Sequence, residues 1–293
     1  MDENDRLTER FEEERARLRA VAYRMLGSLS EADDAIQETW LRLNRADTSD
    51  VENLGGWLTT VVSRVCLNRL RSRSSRREEP LDVYVPDPIV RREDDFDPEH
   101  QAELVDTVGL ALLVVLETLP PAERLAFVLH DMFAVPFEEI ATIVGRSPAA
   151  ARQLASRARR RVQGAATPDV DMARQREVVD AFFAAARDGD FDALVAVLDP
   201  DVVLRSDGGV ARPSFSVVVR GGEAVASRAL MFTQLSPFVR PAVINGAAGV
   251  VVAPGGRPVS IMAFTVRGGR IVEIDSIADP ERLRRLDLPV LDD

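Results

Sequence analysis

Six arginines between residues 146 and 161 fall in a stretch without a single acid, and their spacing suits the binding of a polyanion. The string Pro136-Phe-Glu-Glu-Ile-Ala-Thr-Ile-Val-Gly-Arg-Ser-Pro predicts a short helix with Phe137, Ile140, Ala141 and Val144 on one apolar face. Gly145 supplies a turn, Ser147 a cap, and Pro148 the first position of a second helix running to Val162. On that helix Ala151, Leu154, Ala158 and Val162 face inward, while Arg152, Gln153, Ser156, Arg157, Arg159 and Arg160 face outward. Arginine suits this work because its planar fork reaches a phosphate or a guanine edge with two bonds. The pattern is that of a helix-turn-helix reading DNA, with Ser147 near the phosphates. A solvated helical hairpin is the plainer alternative.

A second arginine block, from Arg64 to Arg77, is equally free of acids. Between the blocks, residues 78–106 hold eleven acids against two arginines. The net charge of −11 therefore hides two basic patches around an acidic segment, and DNA binding is not excluded. The 37 basic residues are all arginine, a bias that a GC-rich genome also explains.

The elements that must position these residues are legible from periodicity and breakers. Residues 6–77 read as helical, with Ser30 as an N-cap, a polar loop over 44–56 and a strong helix from Trp57 to Arg73. Pro80, Pro86, Pro88 and Pro98 then mark residues 78–105 as a solvated acidic linker. Helices return at 102–119, 122–131, 136–144 and 148–162, and residues 164–171 form a second linker. From there the grammar changes. A helix over 173–187 and a shorter one over 191–198 precede strands at 202–205, 215–220, 239–244, 250–253, 259–266 and 271–277. Helices over 222–234 and 280–286 are interspersed. The fold class is thus multidomain, with two all-α domains and an α+β domain built on a curved, mostly antiparallel sheet.

Two further strings carry a resemblance. Tyr23-Arg-Met-Leu-Gly-Ser-Leu-Ser-Glu-Ala-Asp-Asp-Ala-Ile-Gln-Glu-Thr-Trp-Leu-Arg-Leu and Gly56-Trp-Leu-Thr-Thr-Val-Val-Ser-Arg-Val-Cys-Leu-Asn-Arg-Leu-Arg resemble region 2 of extracytoplasmic-function sigma factors, and the helix-turn-helix resembles their region 4. The resemblance covers about residues 6–163. It implies a region 2 over 1–77, the acidic linker over 78–105 and a region 4 over 106–163. It also implies that Asp33, Asp34, Gln37 and Glu38 dock on the clamp helices of core RNA polymerase. The loop 44–53 would capture an unpaired base of the −10 element, Arg64, Asn68 and Arg71 would contact promoter DNA, and region 4 would read the −35 element. Taken singly, Asp33 and Asp34 could equally be ordinary acids near a helix start. The linker acids, Asp94, Asp95, Asp97 and Glu99 among them, are either an inert tether or a stand-in for RNA phosphates in the polymerase.

Residues 172–293 resemble the cone-shaped SnoaL-like fold shared with nuclear-transport-factor-like proteins, which one group of that sigma family carries. Three strings support this: Tyr84-Val-Pro-Asp-Pro88, Ser206-Asp-Gly-Gly-Val-Ala-Arg212 and Asp279-Pro-Glu-Arg-Leu283. They are similar to that group's Trp-Leu-Pro-Glu-Pro, Asp-Gly-Gly-Gly and Asn-Pro-Asp-Lys-Leu motifs, with Tyr84 for Trp, Val210 for the third Gly, and Asp279 and Arg282 for Asn and Lys. The resemblance implies regulation in cis through Tyr84, Pro86, Asp87, Pro88, Asp207, Gly208, Gly209, Arg212, Asp279, Pro280, Arg282 and Leu283.

Catalysis is not expected. Enzymes of the fold set a buried acid beside Tyr or His, and this domain has neither. Asp207 and Asp275 are expected at sheet edges or loops. Phe182, Phe183, Phe215, Met231, Phe232, Met262 and Phe264 are expected to pack a core, with a ligand-sensing cavity left open. No cofactor and no metal are expected, since Cys66 stands alone. The longest strongly apolar run, Leu110 to Leu116, is too short to span a bilayer and the N-terminus lacks a signal pattern, so a cytoplasmic protein without membrane contact is expected. The rival readings are a polymerase-independent helix-turn-helix regulator with a ligand-sensing domain and a cyclase- or isomerase-like enzyme.

Overall fold

The computed structural model describes residues 3–46, 51–76, 83–94, 108–164 and 168–292, and the side chains among them outside 3–6 and 74–76. The chain divides into two compact units. The first takes in the chain up to residue 76 and residues 115–164, and the second residues 83–94, 108–114 and 168–292.

In the first unit, α1 (Glu3–Leu26), α2 (Leu29–Leu43) and α3 (Leu54–Arg76) pack on one another. Ser28, not Ser30, caps α2: its hydroxyl accepts from the Glu31 amide, because Gly27 has already turned the chain and Ser30 is inside the first turn. The α3 helix starts earlier than Trp57, with the Asn53 side chain accepting from the Gly56 amide at 2.9 Å. Tyr23, Leu18, Leu58 and Leu67 fill the core. Cys66 is wholly buried, and burial pushes its thiol up to about 12, so it is chemically inert.

The same unit continues through α5 (Pro121–Phe127), a π-helical turn (Val128–Met132), α6 (Phe137–Val144) and α7 (Pro148–Val162). These pack on α3 and α1. Buried Arg124 binds both Glu117 oxygens, at 2.7 and 3.1 Å, and donates to the Met25 carbonyl at 2.9 Å. The stretch expected as helix from 102 is described only from α4 (Leu110–Glu117) onward.

The second unit is α+β. Seven strands lie in the order β1-β4-β5-β6-β7-β2-β3: β1 (Val90–Arg91), β2 (Leu198–Asp207), β3 (Val217–Arg220), β4 (Val239–Ile244), β5 (Ala247–Val252), β6 (Ser260–Arg267) and β7 (Arg270–Ile277). Among the described residues only β2 and β7 pair in parallel; the rest are antiparallel. The helices α8 (Met172–Asp188), α9 (Phe191–Val197) and α10 (Gly222–Leu230) cover one face over Phe182, Leu194, Leu198, Val225, Val250 and Phe264. Asp171 and Asp190 cap α8 and α9, and Gly189 ends α8 in the left-handed conformation at φ 72°. A short α11 (Pro280–Leu283) follows the sheet, capped by Asp279.

One expectation is overturned here. The stretch 83–90 is not a solvated linker: Val83, Val85, Pro86, Asp87, Pro88 and Val90 are buried, and β1 extends the sheet at β4. Its apolar residues alternate with prolines, a pattern that composition reads as exposed and packing reads as an edge strand. Among the described residues no helix is long and apolar enough to cross a membrane.

Candidate functional site

The three motifs that are far apart in sequence meet at Arg282. Its guanidinium sits on the first turn of α11, aimed by the Asp279 cap and Pro280 at the first helical position. One nitrogen donates to Asp207 Oδ2 at 2.7 Å, and two donate to Asp87 Oδ1 at 2.6 and 2.9 Å. It also donates to the Val85 carbonyl at 2.6 Å and lies 5.1 Å from the centre of the Tyr84 ring. Burial works against the charge on Arg282, but Asp87, Tyr84 and Asp207 more than offset it and hold the guanidinium charged.

Asp207 is the second hub. It is 2% exposed at the end of β2, and its carboxylate accepts from the Val85 amide at 3.1 Å and the Gly209 amide at 3.0 Å. A side chain on Gly208 would strike the Arg212 carbonyl, and one on Gly209 (φ 61°) would strike the Asp279 carboxylate. Arg212 reaches the Ala278 carbonyl at 3.4 Å. Leu283 is buried beneath α11, while Pro86 and Pro88 are buried in the docked segment. A further anchor went unnoticed in the sequence: Asn245, in a tight turn at φ 49°, accepts from the Ile89 amide at 2.9 Å and donates to the Val108 carbonyl at 3.2 Å. Its only advance signal was Asn-Gly between two apolar runs.

The helix-turn-helix forms as expected, with Gly145 left-handed at φ 70° and Ser147 accepting from the Ala150 amide. Ala151, Leu154 and Ala158 are buried, Val162 is half-buried, and Ala155 joins the inward face. Arg152, Gln153, Ser156, Arg157 and Arg160 are exposed and Arg159 is half-buried. The acid-free face is less naked than the sequence implied. Glu138 pairs with Arg152, Glu123 with Arg157 and Arg161, and Asp131 with Arg159. These acids come from neighbouring helices, which a scan along α7 cannot reveal.

On α2, Asp33, Asp34 and Gln37 are exposed and Glu38 is half-buried. Arg19 meets Asp33 at 2.6 Å, and Arg69 lies between Asp34 (3.6 Å) and Glu38 (3.4 Å). Arg64, Asn68 and Arg71 are exposed along one side of α3. The loop expected to capture a base lies partly outside the described residues, at 47–50, as do Asp95, Asp97 and Glu99 of the linker; Asp94 is exposed.

In the α+β unit neither Asp207 nor Asp275 lines the cavity of about 340 Å³. Asp275 is buried and bonded to Arg205 at 3.1 Å; burial pushes its carboxyl up to about 6 despite Arg205. The expectation that the aromatic residues pack a core holds for Phe182 and Phe264, with Phe183 and Met262 packed against them. Phe182, Phe183 and Met262 also line the cavity, as do Phe215 and Phe232 outside that core, and Met231 is 68% exposed.

Two helical regions with a helix-turn-helix are thus joined to an α+β domain that binds the segment between them. Residues 10–76 match the family model for Sigma-70 region 2, and residues 109–162 that for Sigma-70, region 4. The chain is 40% identical over 287 residues to the ECF RNA polymerase sigma factor SigJ of Mycobacterium tuberculosis strain H37Rv, covering 93% of this chain and 91% of that protein. It is 36% identical over 290 residues to the probable ECF RNA polymerase sigma factor SigI of strain CDC 1551, covering 97% of each. The crystal structure of M. tuberculosis SigJ matches with a TM-score of 0.76 at 36% identity, covering 96% of this chain and 99% of that one. The chain belongs to the family of extracytoplasmic-function (ECF) RNA polymerase sigma factors. It is therefore a transcription-initiation factor rather than an enzyme, and core RNA polymerase and promoter DNA are its partners.

Proposed function

We propose that the C-terminal domain controls this sigma factor in cis by holding the segment between regions 2 and 4. The observation that carries the reading is Arg282, which bonds Asp87 of the segment and Asp207 of the sheet at once. A docked stretch of 83–94 removes a dozen residues, about 40 Å of extended chain, from the reach between the two DNA-binding regions. Release would lengthen that reach and favour simultaneous engagement of both promoter elements.

In this reading Asp33, Asp34, Gln37 and Glu38 meet the polymerase, where α2 offers a polar rim. Arg64, Asn68 and Arg71 contact the backbone near the −10 element, and Arg152, Gln153, Ser156, Arg157, Arg159 and Arg160 engage the −35 element, with Ser147 at the helix start. The protein works in the cytoplasm, beside the polymerase. Run-off transcription with core polymerase tests the whole. Promoter-specific transcripts are expected from the wild type, fewer from the Arg64→Ala/Asn68→Ala/Arg71→Ala variant, and more from Arg282→Gln. Unchanged transcription from both variants would remove the assigned roles, and binding to duplex DNA without core polymerase would favour the regulator reading.

A further inference from the structure

The α+β domain encloses a cavity of about 340 Å³, within the size range of small-molecule sites. Its body is apolar, with Phe182, Phe183, Val252, Val259 and Met262 among the walls. Besides Gln234 and Ser236, three serines of the sheet line it. Ser206, Ser276 and Ser260 stand side by side across β2, β7 and β6, with Ser206 and Ser276 in register and the hydroxyls of Ser260 and Ser276 2.8 Å apart. Arg212 follows β2 and reaches Ala278, just beyond β7.

Arg212 and Arg228 both line the cavity, each over an aromatic ring: Phe215 at 5.9 Å and Phe232 at 5.7 Å. Those two rings lie 6.1 Å apart, so the two arginines stack on neighbouring rings of the cavity wall. Both arginines are half-buried, neither has a carboxylate partner among the described residues, and no acid lines the cavity. Two cations held at an apolar wall without a counter-anion are costly, and an anion bound in the cavity would offset that cost.

We propose that this cavity binds an amphiphilic monocarboxylate: a short apolar chain in the body, its carboxylate drawn to the Arg212 and Arg228 guanidinium groups and the serine hydroxyls. A cavity of about 340 Å³ is of the size that holds a small amphiphile such as a medium-chain fatty acid. This goes beyond the sigma-factor reading and does not depend on the clamp at Arg282. It does suggest an input to it, since Ser206 faces the cavity while the next residue along β2, Asp207, holds the clamp.

Isothermal titration calorimetry on the full chain tests the proposal with octanoate, octanol and octylamine as probes. Octanoate is expected to bind one to one, octanol about tenfold or more weaker, and octylamine not at all. Arg212→Gln and Arg228→Gln should each weaken octanoate by about tenfold while leaving octanol nearly unchanged. Ala229→Phe, which fills the cavity, should abolish binding of both, with thermal melting confirming that each variant is folded. Octanol binding as tightly as octanoate to the wild type would overturn the proposal, and that comparison needs no variant. So would undiminished octanoate binding to Ala229→Phe, or no saturation up to about 10 mM octanoate.

Discussion

At the scale of single residues, charge is placed where burial makes it consequential. Arg282 bonds two carboxylates, Asp87 and Asp207, that are 8% and 2% exposed. Replacing it with Gln removes the cation that both buried carboxylates share, at a cost of about 3 kcal/mol. The expected outcome is a lowered urea midpoint for the C-terminal domain, and a midpoint equal to wild type would show that the bonds contribute nothing. Asp275 behaves oppositely. Its carboxyl lies near 6, above the value of about 3.9 in an unfolded chain. The native state therefore holds the extra proton between those values, and the stabilisation present below about pH 4 is lost as pH rises through 6. Asp275→Asn should flatten this decline. Urea midpoints from pH 4 to 7 that fall equally in both proteins would contradict the assignment.

At the scale of elements, the recognition helix is a matter of pairing as well as exposure. Arg157, Arg159 and Arg161 are shared with acids of the same unit, whereas Arg160 has no ion pair to a described residue. On the proposed role, Arg160→Ala should weaken promoter binding uniformly across sequences and reduce the salt slope by about one, and Arg159→Ala should do less because Asp131 already holds that side chain. Fluorescence anisotropy against salt measures both, and equal slopes for the two variants would count against the ranking. Ser147→Ala removes the α7 cap and should cost about 1 kcal/mol in thermal or urea unfolding of the first unit. The helix-turn-helix was legible from sequence because a left-handed glycine, a capping serine and an N1 proline are local signals. The acids that quench its face were not, since Glu123, Asp131 and Glu138 arrive through tertiary packing. The same limit hid the edge strand at Val90–Arg91, whose pairing with β4 joins residues more than 150 positions apart.

At the scale of the whole chain, the motifs around Tyr84, Asp207 and Asp279 were legible only as a resemblance, and composition alone would have left residues 83–90 in solvent. What resolves them is a set of long-range bonds: Arg282 to Asp87, Asp207 to the Val85 amide, and Asn245 to the Ile89 amide. Such bonds make the state of the intervening segment measurable. The most direct measurement pairs hydrogen exchange at the Val85 and Ile89 amides with run-off transcription, for wild type and Arg282→Gln under the same conditions. If the C-terminal domain limits the sigma factor by holding this segment, both amides lose protection in the variant and promoter-specific transcript rises with them. Full exposure of the two amides with transcription unchanged would contradict the account.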